Sequence, residues 1–232
     1  MKSIVIPEGV KTLKKGAFYN CGGLVSIGLP ESLTKMEQYV FLGCRSLASI
    51  HLPSKISEIP SEAFNNCESL EHVIIPNNIK NISNYAFSDC TRLKSVSIPS
   101  QVQVVQQGTF ADCGQLTAVV VKREEPPLLF SYTFENQDFA TLYVPKGCRD
   151  AYMNARETDY NWHLFGRIVE LTDVRGDVNL DGKATVTDVT MLVDVILSKS
   201  GNVPLELTDM NGDGFNTVTD ATLLIDLILH SE

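Results

Sequence analysis

Residues 72–93, HVIIPNNIKNISNYAFSDCTRL, carry a proline at 76, a phenylalanine at 87 and a cysteine at 90. Each has counterparts 23 residues away in both directions. Pro7, Pro30, Pro53, Pro76 and Pro99 keep that step, and so do Phe18, Phe41, Phe64, Phe87 and Phe110. Cys21, Cys44, Cys67, Cys90 and Cys113 stay in phase with them, as do Leu24, Leu47, Leu70, Leu93 and Leu116. Four residue types held at one period over five copies specify a stack of like units. A repeat of roughly 20–50 residues buries its apolar face only against its neighbours, which makes the architecture a solenoid.

One unit, ASIHLPSKISEIPSEAFNNCESL at 48–70, reads as follows. SIHLP alternates polar and apolar residues, so it predicts a short strand with Ile50 and Leu52 inward. Pro53 ends that strand because it has no N–H to give to a ladder. KISEI predicts a second extended segment with Ile56 and Ile59 inward. SEAFNNC predicts about one helical turn, capped by Ser61, with Ala63, Phe64 and Cys67 inward. Leu70 closes the unit.

The pattern Leu-x-x-Ile-x-Ile/Leu-Pro followed by Ala-Phe-x-x-Cys-x-x-Leu resembles the 23-residue leucine-rich repeats of BspA-like surface proteins. The resemblance implies an α/β leucine-rich repeat solenoid, a right-handed arc of parallel strands and short helical turns with its sheet on the concave side. It also implies a secreted or cell-surface protein of a host-associated microbe, engaged in adhesion and protein binding. Five repeats are expected over 1–116. Residues 117–172 break the spacing and are expected to form an irregular C-terminal cap that includes Tyr152, Trp162 and Phe165. A ligand-binding insertion around KREEPPLLF is the alternative.

The net charge of −9 is unevenly placed. From Asp173 onward there are 11 acids and 3 bases, against 17 acids and 16 bases before it. Neither part has the basic patch that answers a phosphate backbone, so nucleic acid is not an expected partner. No apolar run approaches the roughly 18 residues of a membrane span. The chain opens in mid-repeat without a signal peptide, so the expectation is a piece of a longer secreted or surface protein. Five of the six cysteines share one repeat position, and Cys148 follows in the cap. Buried free thiols, disulfides and a metal site are all conceivable. Free thiols take precedence, because parallel neighbours hold their Cβ atoms at the rung spacing and no CxxC pair is present.

The acids of the last segment are ordered. DVNLDGKATVTD runs from 177 to 188, and DMNGDGFNTVTD from 209 to 220. Oxygen donors fall at loop positions 1, 3 and 5, namely Asp177, Asn179 and Asp181, then Asp209, Asn211 and Asp213. Gly182 and Gly214 stand at position 6, where the chain must turn sharply. Lys183 and Phe215 offer backbone carbonyls at position 7, Thr185 and Thr217 fill position 9, and Asp188 and Asp220 fill position 12. This order matches an EF-hand loop with Asp in place of the usual final Glu, and hard oxygen donors at this spacing suit calcium, one ion per loop. Each loop runs into an amphipathic stretch, with stripes of Val189, Leu192, Val193 and Ile196, and of Leu223, Leu224, Leu227 and Ile228. Residues 177–197 and 209–229 are identical at 13 of 21 positions.

Two such loop–helix units resemble type I dockerins, which implies a small all-α EF-hand-like domain over 173–232. The resemblance also makes Val186, Thr187, Val218 and Thr219 partner-contacting residues, with a cohesin-like or other surface protein as partner. The chain departs from the best-known members at position 18 of each unit, where Asp194 and Asp226 replace basic residues.

No GxSxG, HExxH, P-loop or Rossmann glycine pattern is present, and no enzymatic role is expected. The outward strand positions form two columns, Val5, Gly28, His51, Ile74, Ser97 and Ser3, Ser26, Ser49, His72, Ser95. They read either as a solvated face or as a ligand patch centred on His51, His72 and Ile74, facing a host or microbial protein or a glycan. The combined expectation is a binding or adhesion protein with a calcium-dependent attachment domain. Two alternatives are a non-catalytic fragment of a larger secreted enzyme, and an adhesin whose calcium domain is purely structural.

Overall fold

The computed structural model describes residues 2–134, 137–155, 162–198 and 203–230. The first turn of the chain contributes β1 (Ser3–Val5) and β2 (Thr12–Leu13), and the second β3 (Ser26–Gly28) and β4 (Lys35–Met36). The third has a parallel bridge at His51 and then β5 (Glu58–Ile59). Next come β6 (His72–Val73) with β7 (Asn81–Ile82), and β8 (Ser95–Ile98) with β9 (Val104–Val105). The pair β10 (Ala118–Val121) and β11 (Leu128–Leu129) follows, then β12 (Thr141–Val144), the helix α1 (Arg149–Asn154) and β13 (Arg167–Glu170). Among the described residues all the pairing is parallel, in a main ladder that runs β6–β8–β10–β12–β13, a side ladder β5–β7–β9–β11 and the two-stranded pairs β1–β3 and β2–β4.

The result is a parallel-strand solenoid of about seven turns, the leucine-rich repeat architecture. Its register equals the sequence period, because Ser3 pairs Ser26, His72 pairs Ser95 and Ser95 pairs Ala118. The ladder does not stop where the Phe and Cys spacing stops. Ala118 pairs Thr141 in the same step, and Thr141 then pairs Arg167 across a longer loop.

The core is a column of like residues. Phe18, Phe41, Phe64, Phe87 and Phe110 stack face to face, with ring centroids 5.1–5.5 Å apart. That is the offset-stacked range in which aromatic pairs add to the energy of burial. Phe134 extends the column at 5.2 Å from Phe110, and Trp162 and Phe165 then turn across its end. Trp162 Nε1 donates to the Pro127 carbonyl and Tyr152 Oη to the Arg123 carbonyl, both at 2.6 Å. These bonds let the two large rings close the stack without leaving a buried polar atom unsatisfied.

The cysteines are free. From the second turn on, each thiol donates to the phenylalanine carbonyl of the preceding turn: Cys44 to Phe18, Cys67 to Phe41, Cys90 to Phe64 and Cys113 to Phe87, at 3.2–3.4 Å. A thiol is a small apolar group with a weak donor, and this position uses both properties. Cys21, in the first turn, is exposed. Burial pushes the Cys44 thiol up to about 12 and those of Cys67 and Cys90 well above the ordinary range, so they stay protonated.

One local expectation is corrected. SEAFNNC forms no α-helix, so Ser61 has no helix to cap; the segment is a pair of tight turns closed by Ala63 N to Pro60 O and Cys67 N to Phe64 O. Left-handed residues break the helix in each repeat. One column holds Asn20, Asn66, Asp89 and Asp112, and another holds Tyr39, Glu62, Tyr85 and Tyr132. Asn and Asp tolerate that conformation, whereas a tyrosine there is strained.

The C-terminal part contains α2 (Val186–Ile196), α3 (Leu205–Thr208) and α4 (Val218–Leu229). Its small core is Val178, Leu192, Met210, Ala221 and Leu224, with Val189, Met191, Ile196, Leu227 and Ile228 packed around it. Val193 and Leu223, expected in the inward stripes, are exposed instead. α2 and α4 pack against each other, and the apolar residues they bring to this core are fewer than an all-apolar count of the helices predicts.

Candidate functional site

The two acidic loops have the same construction. In the first, Asp177 accepts from the backbone N–H of Asp181 (3.0 Å) and Gly182 (2.8 Å) and from the Thr172 hydroxyl (2.7 Å). In the second, Asp209 accepts from Gly212 (2.7 Å), Asp213 (3.2 Å) and Gly214 (2.8 Å). Asn179 accepts from Asp181 N, and Asn211 from Asp213 N, at 2.9 Å each. Asp181 and Asp213 accept from the N–H of Lys183 and Phe215, two residues on. Gly182 and Gly214 have φ of +91° and +88°, a conformation that a side chain at position 6 would strain.

Position 12 serves two structures at once. Asp188 accepts from Asn179 N (3.0 Å) and Thr185 N (2.8 Å), while Thr185 caps α2. Asp220 accepts from Met210 N and Thr217 N, both at 2.8 Å, while Thr217 caps α4. Each aspartate thus ties the start of its loop to the capping box of its helix.

Asp177, Asp188 and Asp220 are 2%, 0% and 0% exposed. Among the described residues, none of the loop carboxylates forms an ion pair. Burial pushes the Asp209 carboxyl up; the N–H groups of Gly214 and Gly212 oppose this, and the carboxylates of Asp220 and Asp213 add to it. The donor set of carboxylates, amide, hydroxyl and carbonyl is of the kind a hard divalent ion takes. Among the described residues, no three His, Cys, Asp or Glu side chains converge as a ready cluster. The loop carboxylates are turned toward the N–H groups of their own loops. Val186 and Val218 are each 72% exposed at the start of their helices, with Thr187 and Thr219 exposed beside them. Asp194 is half-buried and Asp226 exposed on the same two helices.

The outward sheet face is graded. Val5 is 76% exposed, Gly28 and His51 are open, and Ile74 is half-buried. Ser97 and Val120, next along the column, are 1% and 0% exposed. The neighbouring column shows the same trend, from open Ser3 and Ser26 through half-buried His72 to buried Ser95 and Ala118. What covers this end is the C-terminal part. Glu206 of α3 pairs with Lys122 at 2.9 Å, and a Cβ at Gly214 would stand 3.9 Å from Ile74 Cδ1. His51 and Ile74 face each other as a parallel bridge, and His72 Nδ1 lies 3.2 Å from Ser95 Oγ. His51, His72 and Ile74 therefore straddle the edge of the covered zone. Lys122 and Glu206 carried no motif, and only the folded chain brings them together.

The BspA type leucine rich repeat profile matches residues 1–117 in six copies. The chain belongs to the BspA type leucine-rich repeat family. Residues 175–229 match the dockerin type I domain, a class of module that binds calcium and a cohesin-type protein partner. Both modules are non-catalytic. Among solved structures, this BspA-type chain is similar to a leucine-rich repeat protein from Bacteroides ovatus, with 28% identity and a TM-score of 0.55 over 62% of this chain and 39% of that one. It is similar to the pneumococcal vaccine antigen PcpA, with 21% identity and a TM-score of 0.60 over 73% of this chain and 41% of that one. A leucine-rich repeat protein of T. pallidum shares 28% identity at a TM-score of 0.50, over 58% of this chain and 78% of that one. The chain thus spans about two fifths of the length of the first two. No curated protein matches it. No helix among the described residues is long and apolar enough to cross a membrane.

Proposed function

We propose that this chain is a secreted or surface-displayed binding protein in which the solenoid recognises a protein or glycan and residues 173–232 attach it, in a calcium-dependent way, to a cohesin-type partner. Two ions are bound, one per loop. Asp177, Asn179, Asp181, Thr185, Asp188 and the Lys183 carbonyl hold the first. Asp209, Asn211, Asp213, Thr217, Asp220 and the Phe215 carbonyl hold the second. The observation that carries this reading is the pair of loops with one shared hydrogen-bond pattern, in which Asp177, Asp188 and Asp220 are buried with no ion pair among the described residues. Exposed Val186, Thr187, Val218 and Thr219 support an attachment surface duplicated with the loops. The acids at 194 and 226 turn specificity away from partners that expect basic residues there.

The test is capture of partners from secreted and surface proteins of the source organism by the immobilised whole chain, in calcium and in EDTA. Alongside it runs a variant with Val186, Thr187, Val218 and Thr219 all changed to Asp. A partner held only in calcium and lost in the variant is expected. A set of partners unaffected by both changes refutes attachment through this domain.

A further inference from the structure

Under the C-terminal part lies a sheet face not made for permanent burial. Its open columns hold Ser3, Ser26, His51 and the half-buried Ser49 and His72 beside Val5 and Gly28, and the covered part still carries the hydroxyls of Ser95 and Ser97 beside Ala118 and Val120. Ser97 Oγ is buried with no hydrogen-bond partner. An orphaned hydroxyl carries a desolvation cost that solvent would return. A cleft of about 520 Å³ remains at the junction, lined by Val120, Lys122, Arg175, Glu206, Met210 and Asn211 among others. Among the described residues, the seat is held by two ion pairs, Lys122 to Glu206 and the exposed Lys146 to Asp173, and by the approach of Gly214 to Ile74. A permanent interface is better packed and better satisfied than this.

The covering elements are also those whose shape a cation would set. Asp209, Asn211 and Gly212 of the second loop line the cleft, Gly214 of that loop faces Ile74, and α3 leads directly into it. Arg175 Nη2 donates to the Met210 carbonyl at 2.9 Å, which ties the approach to the first loop to the start of the second.

We propose that the sheet face over β6, β8 and β10 is a docking surface for this chain's own second loop and α3, and that loss of calcium releases it. Docked, the domain covers Ser95, Ser97, Ala118 and Val120 and leaves only the N-terminal turns open. Released, it exposes a continuous face from Val5 to Val120, and a protein partner of that face competes with the docked domain. The calcium half of the inference rests on the calcium reading of the loops.

The experiment places a cysteine in the covered face, Ser97→Cys, in the whole chain. Alkylation rates are read peptide by peptide by mass spectrometry, in calcium and in EDTA, with calcium calorimetry on the same protein. Ser26→Cys, at the open end of the same face, is the control, and Ala118→Cys replaces the probe if Ser97→Cys fails to fold. The expected result is slow alkylation in calcium, at least about tenfold faster alkylation in EDTA, and a fast, calcium-independent control. Glu206→Lys is expected to raise the probe's rate in calcium as well. Equal probe rates in the two buffers, with calcium binding measured, overturn the release and leave the calcium reading standing. Absence of calcium binding overturns both.

Discussion

In the solenoid, each turn from the second to the fifth buries a phenylalanine, a leucine and a cysteine against the same residues of its neighbours, while the C-terminal part buries six apolar side chains and three carboxylates among its described residues. The first region repeats a small solution until the core is long. The second repeats a loop twice and remains too small for apolar burial to hold it alone. On the proposed calcium reading, part of its stabilisation comes from the ions that the carboxylates bind, and folding and metal binding become one equilibrium there. The two regions of one chain should therefore respond to opposite perturbations.

The largest expected effect is in the column. Phe64→Ala removes a ring stacked on both faces, 5.4 Å from Phe41 and 5.1 Å from Phe87, and should cost about 3–5 kcal/mol in denaturant unfolding. Calcium should not rescue it. Asp188→Ala attacks the other region, removing a carboxylate from the first loop and one half of the capping box of α2. Calorimetry should show at least about tenfold weaker calcium binding at one of two sites. Unfolding of the solenoid should be unchanged.

A smaller effect separates packing from hydrogen bonding within the column. Cys67→Ala removes a buried thiol and its bond to the Phe41 carbonyl, which should cost about 1–2 kcal/mol. In the unmodified protein, brief alkylation near neutral pH should label Cys21 and spare Cys44, Cys67 and Cys90, because burial holds those three protonated. Labelling of all at one rate would contradict the ladder of thiols.

The smallest effect is at the edge of the covered face. Burial, then Lys94, lowers the pKa of His72 from 6.5, and Glu71 opposes this. A lowered folded-state pKa means that the unfolded chain binds more protons as pH falls through 6.5. Stability is therefore full above that value and declines below it. Denaturant midpoints of the whole chain should fall slightly between about pH 7.5 and pH 5.5, and His72→Gln should remove part of that slope. A slope unchanged in the variant would place the pH dependence elsewhere.

Much of this fold was legible because one spacing repeats. Pro76, Phe87 and Cys90 each announced a column, and parallel stacking is the arrangement that buries every member of a column. Phe134 was harder to see because one extra residue precedes it, so it falls 24 rather than 23 residues after Phe110. The continuation through Thr141 and Arg167 was hidden by loss of the Phe and Cys signals while the strand pairing persisted. Loop order in the acidic segment was legible because a cation loop needs oxygen donors at set positions. Exposure of Val193 and Leu223 was not, since helical spacing alone does not say how wide the buried seam is. The seat of Glu206 and Gly214 against Lys122 and Ile74 left no trace in any local pattern. It depends on how two independently patterned regions meet.

The most direct test of the contrast is hydrogen exchange of the whole chain, resolved by peptide, in calcium and in EDTA. The account predicts that α2 and α4 lose their protection in EDTA while the strands through β6, β8, β10 and β12 keep theirs. Protection of α2 and α4 that survives chelation, or a solenoid that loses protection along with them, would contradict it.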